Sequence, residues 1–306
     1  MSVQIPVAFV DQFRANILLL SQQKQSKLRG CCRPEPITGD TMYVERIGAT
    51  EMQELTTRHA DTPQIDTPHS RRKLSMADYN WSDLLDNVDK LKMLIDPQST
   101  YAQNAVMAAN RQIDDVIITA LGGAAYSGHT GGTTVNNYDV GECRLVESDG
   151  VIATAGSDWS NTTETALTIA KLLTCKQLLD DAEIDDERQR YFVTNPYNIN
   201  QLLNTTEVKS ADYNTVKALA QGQIDTFMGF KFIKSTRLSA DDTDTGATKC
   251  FAFAQDAIVL AVAEEPMVRI TERDDKNYSI QVYVEMSIGA TRVEGPAVVG
   301  ITLDTE

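Results

Sequence analysis

Residues 57–73 read TRHADTPQIDTPHSRRK, and no other stretch of the chain says more about its fold. The stretch carries two Asp-Thr-Pro units five residues apart and ends on the cationic triplet Arg71-Arg72-Lys73. The prolines at 63 and 68 rule out a helix or a central strand, because proline lacks the backbone N–H that both structures use. With almost no apolar side chains, the segment cannot bury itself. It therefore predicts a proline-braced arm that lies on another copy of the same protein.

The polar side chains of this arm are the predicted contacts between subunits. A guanidinium on an exposed arm contributes little to its own fold, but across an interface it forms bidentate, partly desolvated pairs. The candidates are Arg58, His59, Asp61, Asp66, His69, Arg71 and Arg72. The histidines and aspartates are also metal-ligand types, yet a flexible arm without helical or hairpin spacing does not preorganise them. We therefore expect hydrogen bonds between subunits here and no metal.

Charge is divided unevenly along the 306 residues. The first 100 residues carry 12 Lys and Arg against 13 Asp and Glu, and the remainder carries 16 against 30, within a net charge of −15. An acidic body argues against a nucleic-acid reader and against a binder of anionic membranes, since both need a cationic face. The basic residues of the arm would instead meet the acidic surface of a neighbouring subunit.

The five cysteines provide neither a disulfide framework nor a zinc site. Cys31 and Cys32 are adjacent and the other three are scattered, so no Cys-x-x-Cys spacing occurs. We expect reduced thiols in a cytoplasmic environment. The first residues lack the cationic start of a signal peptide, and no apolar run approaches the length of a membrane span.

Around the arm, residues 37–80 predict a long β-hairpin. Residues 37–57 alternate weakly between apolar and polar side chains, and residues 73–78 predict the returning strand. The composition is too polar for a core on both faces, so the hairpin is expected to project from the body. Residues 1–36 predict an N-terminal arm, in which 7–28 form either an amphipathic helix or an extended segment.

One long helix is predicted from residue 100 to residue 122. Pro97 and Ser99 provide its start, and Gly122-Gly123 provides its end. Apolar residues recur between them at helical spacing: Ala102, Val106, Ala109, Ile113, Val116, Ile117 and Ala120. The helix is the longest regular element and is expected to support the rest of the fold. A mobile glycine-rich loop is expected after it, at 128–137.

The second half of the chain alternates helices with strands, which predicts an α/β layer with its own core. Helices are expected at 163–181, 196–203 and 215–220, and strands at 191–194, 230–235, 251–254, 258–262 and 298–303. Residues 267–292 alternate with period two about a turn at 273–277, which predicts long antiparallel strands beside the 100–122 helix.

Catalytic motifs are weak throughout. Asp244-Thr245-Gly246 matches the aspartic-protease signature but lacks the apolar strand that would deliver its aspartate, so a solvated acidic turn is expected. The same acidic run misses the final glutamate of a calcium loop, since Ala252 stands there. Residues 128–132 lack the Lys-Ser/Thr of a phosphate loop, and no serine stands in a Gly-x-Ser-x-Gly elbow. We expect no catalytic residue and no cofactor, and an α/β hydrolase is the alternative from another class.

The order of elements and the local sequence together resemble the major capsid proteins of tailed phages of the Hong Kong 97 type. The resemblance rests on TRHADTP at 57–63 and DTPHSRR at 66–72, and on two further motifs. These are Tyr79-x-Trp81-x-Asp83-Leu84 and Leu94-Ile95-Asp96-Pro97. It implies an α+β fold with an N-terminal arm at 1–36, an extended loop at 37–80, a peripheral domain at 81–160 and 265–295 with a spine helix at 100–122, and an α/β axial domain at 161–264 and 296–306.

The implied function is the icosahedral shell that encloses the double-stranded DNA genome of a tailed bacteriophage, assembled in the host cytoplasm and located in the virion. The implied partners are further copies in hexamers and pentamers, a scaffolding protein, a portal, a cement or decoration protein, and DNA contacted without sequence specificity. The short arm suggests a separate scaffolding protein, and the position of Lys73 at the hairpin edge suggests non-covalent clamping rather than a Lys–Asn cross-link. A bacterial nanocompartment shell is the alternative within the same fold.

Overall fold

The computed structural model describes residues 21–58, 61–62, 64–86, 98–135, 144–146, 152, 166–185, 187–204, 226–238 and 247–304. The helices are α1 Gln98–Gly122, α2 Ile169–Asp181 and α3 Pro196–Asn204. The strands are β1 Arg33–Pro36, β2 Thr41–Ile47, β3 His69–Ser75, β4 Ala77–Leu85, β5 Ala125–Ser127, β6 Thr133–Val135, β7 Arg144–Val146, β8 Arg190–Thr194, β9 Thr226–Phe227, β10 Phe230–Lys234, β11 Ala247–Ala254, β12 Ile258–Arg273, β13 Ser279–Arg292 and β14 Val298–Asp304. Helices and strands thus mix along the chain, as the α+β prediction requires.

The chain divides into two compact units. The smaller unit contains residues 1–26, 78–112 and 264–287, and the larger contains 27–77, 113–263 and 288–306. The domain boundaries drawn from the sequence stay a prediction.

Helix α1 confirms the predicted spine helix and begins two residues earlier, at Gln98. Of the predicted stripe, Ala109, Ile113 and Ile117 are buried, whereas Val106 is only half-buried and Ala105 and Leu121 are buried instead. Each turn of this stripe places an aliphatic group on one side of the helix, which is the pattern of an amphipathic core helix. No helix among the described residues is long and apolar enough to cross a membrane.

A four-stranded sheet has the order β1-β12-β13-β4, in which the short β1 pairs with β12 in parallel. The sequence predicted a strand at 258–262 and a separate one from 267, whereas β12 is one continuous strand of 16 residues. Its internal Pro266 is tolerated because β1 pairs only with Val259–Val262, which leaves the proline on a sheet edge within the described part of the chain. The predicted turn is confirmed, and Asn277 ends it in the left-handed conformation with φ 51°.

The larger unit contains the predicted α/β layer, a six-stranded sheet of order β7-β14-β11-β8-β10-β9. Aromatic rings pack against each other in its core, where the ring centroids of Phe192 and Phe232 lie 5.2 Å apart. Thr168 caps α2 by accepting a hydrogen bond from the Lys171 backbone N–H, 3.4 Å away. The helix predicted at 215–220 lies outside the described residues.

A third sheet, of order β2-β3-β5-β6, corrects two predictions about the hairpin. The returning strand begins at His69 and ends at Ser75 instead of covering 73–78. The glycine-rich segment 128–137, expected to be a mobile loop, instead contributes the short strand β6, which pairs with β5 and so extends the hairpin sheet. Strands of three residues are too short to show a period of two, so the sequence carried no signal for them.

The N-terminal arm is described from residue 21. Residues 21–28 form no helix, and the first helical turn among the described residues is the short 3-10 segment Arg29–Cys31. The sequence predicted either an amphipathic helix or an extended segment at 7–28. For residues 21–28, the described part of this segment, the extended alternative is correct.

Candidate intersubunit surface

The base of the hairpin is held in a fixed register. Strands β2 and β3 pair from Thr41 opposite Ser75 to Ile47 opposite His69. Just beyond the last pair, the Gly48 N–H donates to the Pro68 carbonyl oxygen at 2.9 Å. A Cβ on Gly48 would lie 2.7 Å from Pro68 Cγ, so only glycine permits this closure. The chain therefore leaves the sheet at a narrow neck.

Arg71 lies on one face of the base and is already paired within its own subunit. Its Nη2 lies 3.0 Å from Glu45 Oε1, and its guanidinium lies 5.6 Å from the centre of the Tyr43 ring. The Tyr43 hydroxyl in turn donates to the Thr130 carbonyl oxygen at 3.2 Å. These contacts tie the two hairpin strands to the β5–β6 turn, so Arg71 supports the base as well as facing solvent.

Arg72 lies on the opposite face and is fully buried. The next residue on this face, Leu74, is also fully buried and packs with Val259, Ala261 and Val293 of the body. The prediction that Arg72 contacts a neighbouring subunit is therefore wrong, because strand alternation sends its side chain into its own subunit. The sequence analysis predicted that the hairpin projects from the body. Its base instead packs into the core of the larger unit.

The turn between β5 and β6 needs two glycines. Gly128 has φ +93° and Gly131 has φ +70°, both in the region that favours glycine. A Cβ on Gly131 would also lie 2.9 Å from Lys73 Cβ. The turn can therefore close over β3 only because Gly131 carries no side chain.

Residues 48–68 form the tip of the hairpin, which we call the hairpin tip. Every described residue of this segment is exposed. Arg58, Asp61 and Asp66 belong to it, and His69 is exposed at the first position of β3. His59 lies outside the described residues. Four of the seven predicted contacts, Arg58, Asp61, Asp66 and His69, are therefore exposed. None of these four forms an ion pair with another described residue.

Two aspartates of α1 that the sequence analysis missed organise the larger unit. Both oxygens of the buried Asp114 accept the Lys27 backbone N–H at 3.1 Å, and Oδ1 also accepts that of Leu28 at 3.1 Å. Asp115 forms a bidentate pair with Arg237. Two adjacent aspartates inside an apolar helical stripe were the available signal, since acidic groups there require partners.

The described cysteines are free and buried. Burial raises the pKa of the Cys31 and Cys250 thiols to about 11, and it also raises the pKa of Cys32 and Cys175. Buried thiols with raised pKa values are poor nucleophiles at neutral pH. No group of three or more His, Cys, Asp or Glu side chains among the described residues is placed to hold a metal. Asp244 lies outside the described residues.

Comparison with known proteins matches nearly the whole chain to a single family. The family model described as phage capsid protein matches residues 5–305. A search of curated protein sequences finds no match.

Solved phage capsids share the fold at low sequence identity. The capsid protein of cyanophage P-SCSP1u superposes with a TM-score of 0.73 at 14% identity, over 100% of this chain and 96% of that one. The capsid protein of cyanophage Pam1 also gives 0.73, at 15% identity over 98% and 97% of the two chains. The capsid protein of Ralstonia phage GP4 gives 0.73 at 11% identity, over 98% and 96%.

Proposed function

The chain belongs to the phage capsid protein family and is a major capsid protein of a tailed phage, and we propose that its hairpin tip joins neighbouring subunits in the shell. The observation that carries the functional assignment is the family match from residue 5 to residue 305. The fold is that of Hong Kong 97-type capsid proteins, as the solved neighbours show.

The division of the hairpin into base and tip supports the proposal. The base is fixed to its own subunit by the buried Leu74 and by the sheet register, so it positions whatever lies beyond the Gly48–Pro68 neck. The tip has 21 residues and no buried position among those described. A segment with so little apolar burial is not ordered by its own subunit, whereas a neighbouring surface would order it.

The positive charge of Arg58 supports a contact between the tip and the acidic surface of a neighbouring subunit. Arg58 is an exposed cation on the tip, and the sequence after residue 100 carries 30 acidic against 16 basic residues. Arg58 itself gains from facing an acidic neighbour, although Glu51, Glu54, Asp61 and Asp66 leave the tip as a whole with more acidic than basic residues. Arg58, Asp61, Asp66 and His69 are the residues we assign to this contact.

The shell we propose is icosahedral, with hexamers and pentamers that assemble in the host cytoplasm around double-stranded DNA. Its assembly involves a separate scaffolding protein and a portal, and a cement protein would bind the finished shell. The DNA contact is non-specific, since an acidic inner surface repels the phosphates and lets the duplex slide during filling. The protein has a structural role without catalytic activity.

Reversal of the charge at Arg58 tests the proposed contact. The described residues of the tip are exposed, so Arg58→Glu should leave the circular dichroism spectrum unchanged while the yield of particles falls about tenfold or more, as at an interface hot spot. The matched control is Lys176→Glu, which makes the same charge change at an exposed position of α2. A wild-type particle yield from Arg58→Glu would refute the assignment of Arg58.

A further inference from the structure

The hairpin tip exposes two large apolar side chains close together. Met52 is 100% exposed and Leu55, three residues later, is 75% exposed. Acidic residues flank them, at Glu51 and Glu54. A pair of fully solvated apolar side chains on a long extension is the pattern of an interaction site, because scattered single apolar residues are the ordinary case on surfaces.

The smaller unit contains a cavity that is open to solvent and has a volume of about 160 Å³. Its walls include Trp81 of β4, Ala105 and Ala109 of α1, and Val284 and Met286 of β13. The remaining described lining residues are Tyr79, Asn80, Ala108 and Gln112, so no charged side chain lines it in the part of the chain that the structure describes. The alanines create the space, since a larger side chain at those positions of α1 would fill it.

We propose that Met52 of one copy fills this cavity in a neighbouring copy. The inference rests on the proposed function, in which the hairpin tip joins subunits, and it names the surface that the tip meets. An apolar protein cavity of about 150 Å³ holds a molecule the size of benzene. A methionine side chain is of comparable size, adapts its shape to an irregular space, and makes favourable sulfur–aromatic contacts, here with Trp81.

The polar groups around the two surfaces match. The glutamates beside Met52 would approach the amides of Asn80 and Gln112, which line the cavity and are hydrogen-bond donors.

The partner that we propose for the cavity is a second copy of this chain, which supplies the Met52 side chain. In the contact we propose, every copy gives its Met52 to one neighbour and receives that of another neighbour, which makes the contact heterologous. Heterologous contacts repeat from subunit to subunit and close into rings when the rotation allows. That is the geometry a hexamer or pentamer requires.

Cross-linking in assembled particles tests this contact. Cysteines are introduced by Met52→Cys and Ala108→Cys, and the particles formed by the full chain are oxidised with copper phenanthroline. The native cysteines among the described residues are buried, so they will not compete. Non-reducing gels should show a ladder of covalent oligomers, which disappears on reduction.

The matched control keeps Met52→Cys and moves the second cysteine to Thr271, which is exposed on β12 and does not line the cavity. It should give no ladder. Particles of the Met52/Ala108 pair without cross-links, or cross-linked monomers without oligomers, would overturn the inference and leave the shell function standing. A wild-type chain that forms no particles would instead refute the proposed function, and this contact with it.

Discussion

At the scale of residues, strand alternation divides the basic triplet between two roles. Arg71 pairs with Glu45 on the open face of the hairpin base, whereas Arg72 is fully buried on the other face. Charge reversal at both positions would therefore test the folding of the subunit and not its assembly. The sequence identified the triplet as important but could not separate these roles, since burial of Arg72 depends on a sheet whose other strands are distant in sequence.

Alanine substitutions at the two glycines after Thr130 test how the β5–β6 turn packs on the hairpin base. Gly131→Ala would force a side chain into the left-handed region and against Lys73, so it should destabilise the larger unit by about 1–2 kcal/mol. Gly132→Ala is the matched control, because its Cβ would meet only Thr130 Oγ1 at 3.6 Å and its φ is not left-handed. Its effect should stay within about 0.5 kcal/mol. Urea unfolding of the soluble subunit measures both, and equal effects would contradict the role given to Gly131.

At the scale of elements, the sequence predicted what is local and missed what is long-range. The spine helix, the strand Arg190–Thr194 and the turn after Arg273 follow from periodicity and capping residues within a short window. The hairpin sheet does not, because β3 gains its second neighbour from Ala125–Ser127, about 50 residues away. The same long-range pairing explains why a hairpin predicted to project has a buried base.

Hydrogen exchange compares the two parts of the hairpin directly. In the free subunit the tip at 48–68 should exchange fast, because it has no buried position among its described residues, while 101–122 should be protected by its helical ladder. On assembly the tip should become protected and the helix should stay so. Strands β2 and β3 serve as the internal control and should be slow in both states. A tip that is equally protected in subunit and particle would mean that it folds on its own subunit.

At the scale of the whole molecule, the shell we propose depends on repetition of one contact between identical subunits. It offers no assembled catalytic or metal centre among the described residues, and its most unusual surface is the extension that it projects beyond the Gly48–Pro68 neck. In the shell we propose, the base of the hairpin is fixed and its tip is exposed. The tip can therefore adjust to the small differences in angle between subunits of hexamers and subunits of pentamers. The acidic net charge of −15 adds repulsion between bodies, which the tip contact must overcome.

The central claim is that this chain builds a closed shell, and electron microscopy of the negatively stained, purified full chain tests it most directly. The chain is expressed with the scaffolding protein of the same phage, and the wild type is imaged beside Arg58→Glu. We predict closed, uniform megadalton particles for the wild type and dispersed subunits for the variant. A wild-type chain that remains a monomer or a small oligomer under these conditions would contradict the account.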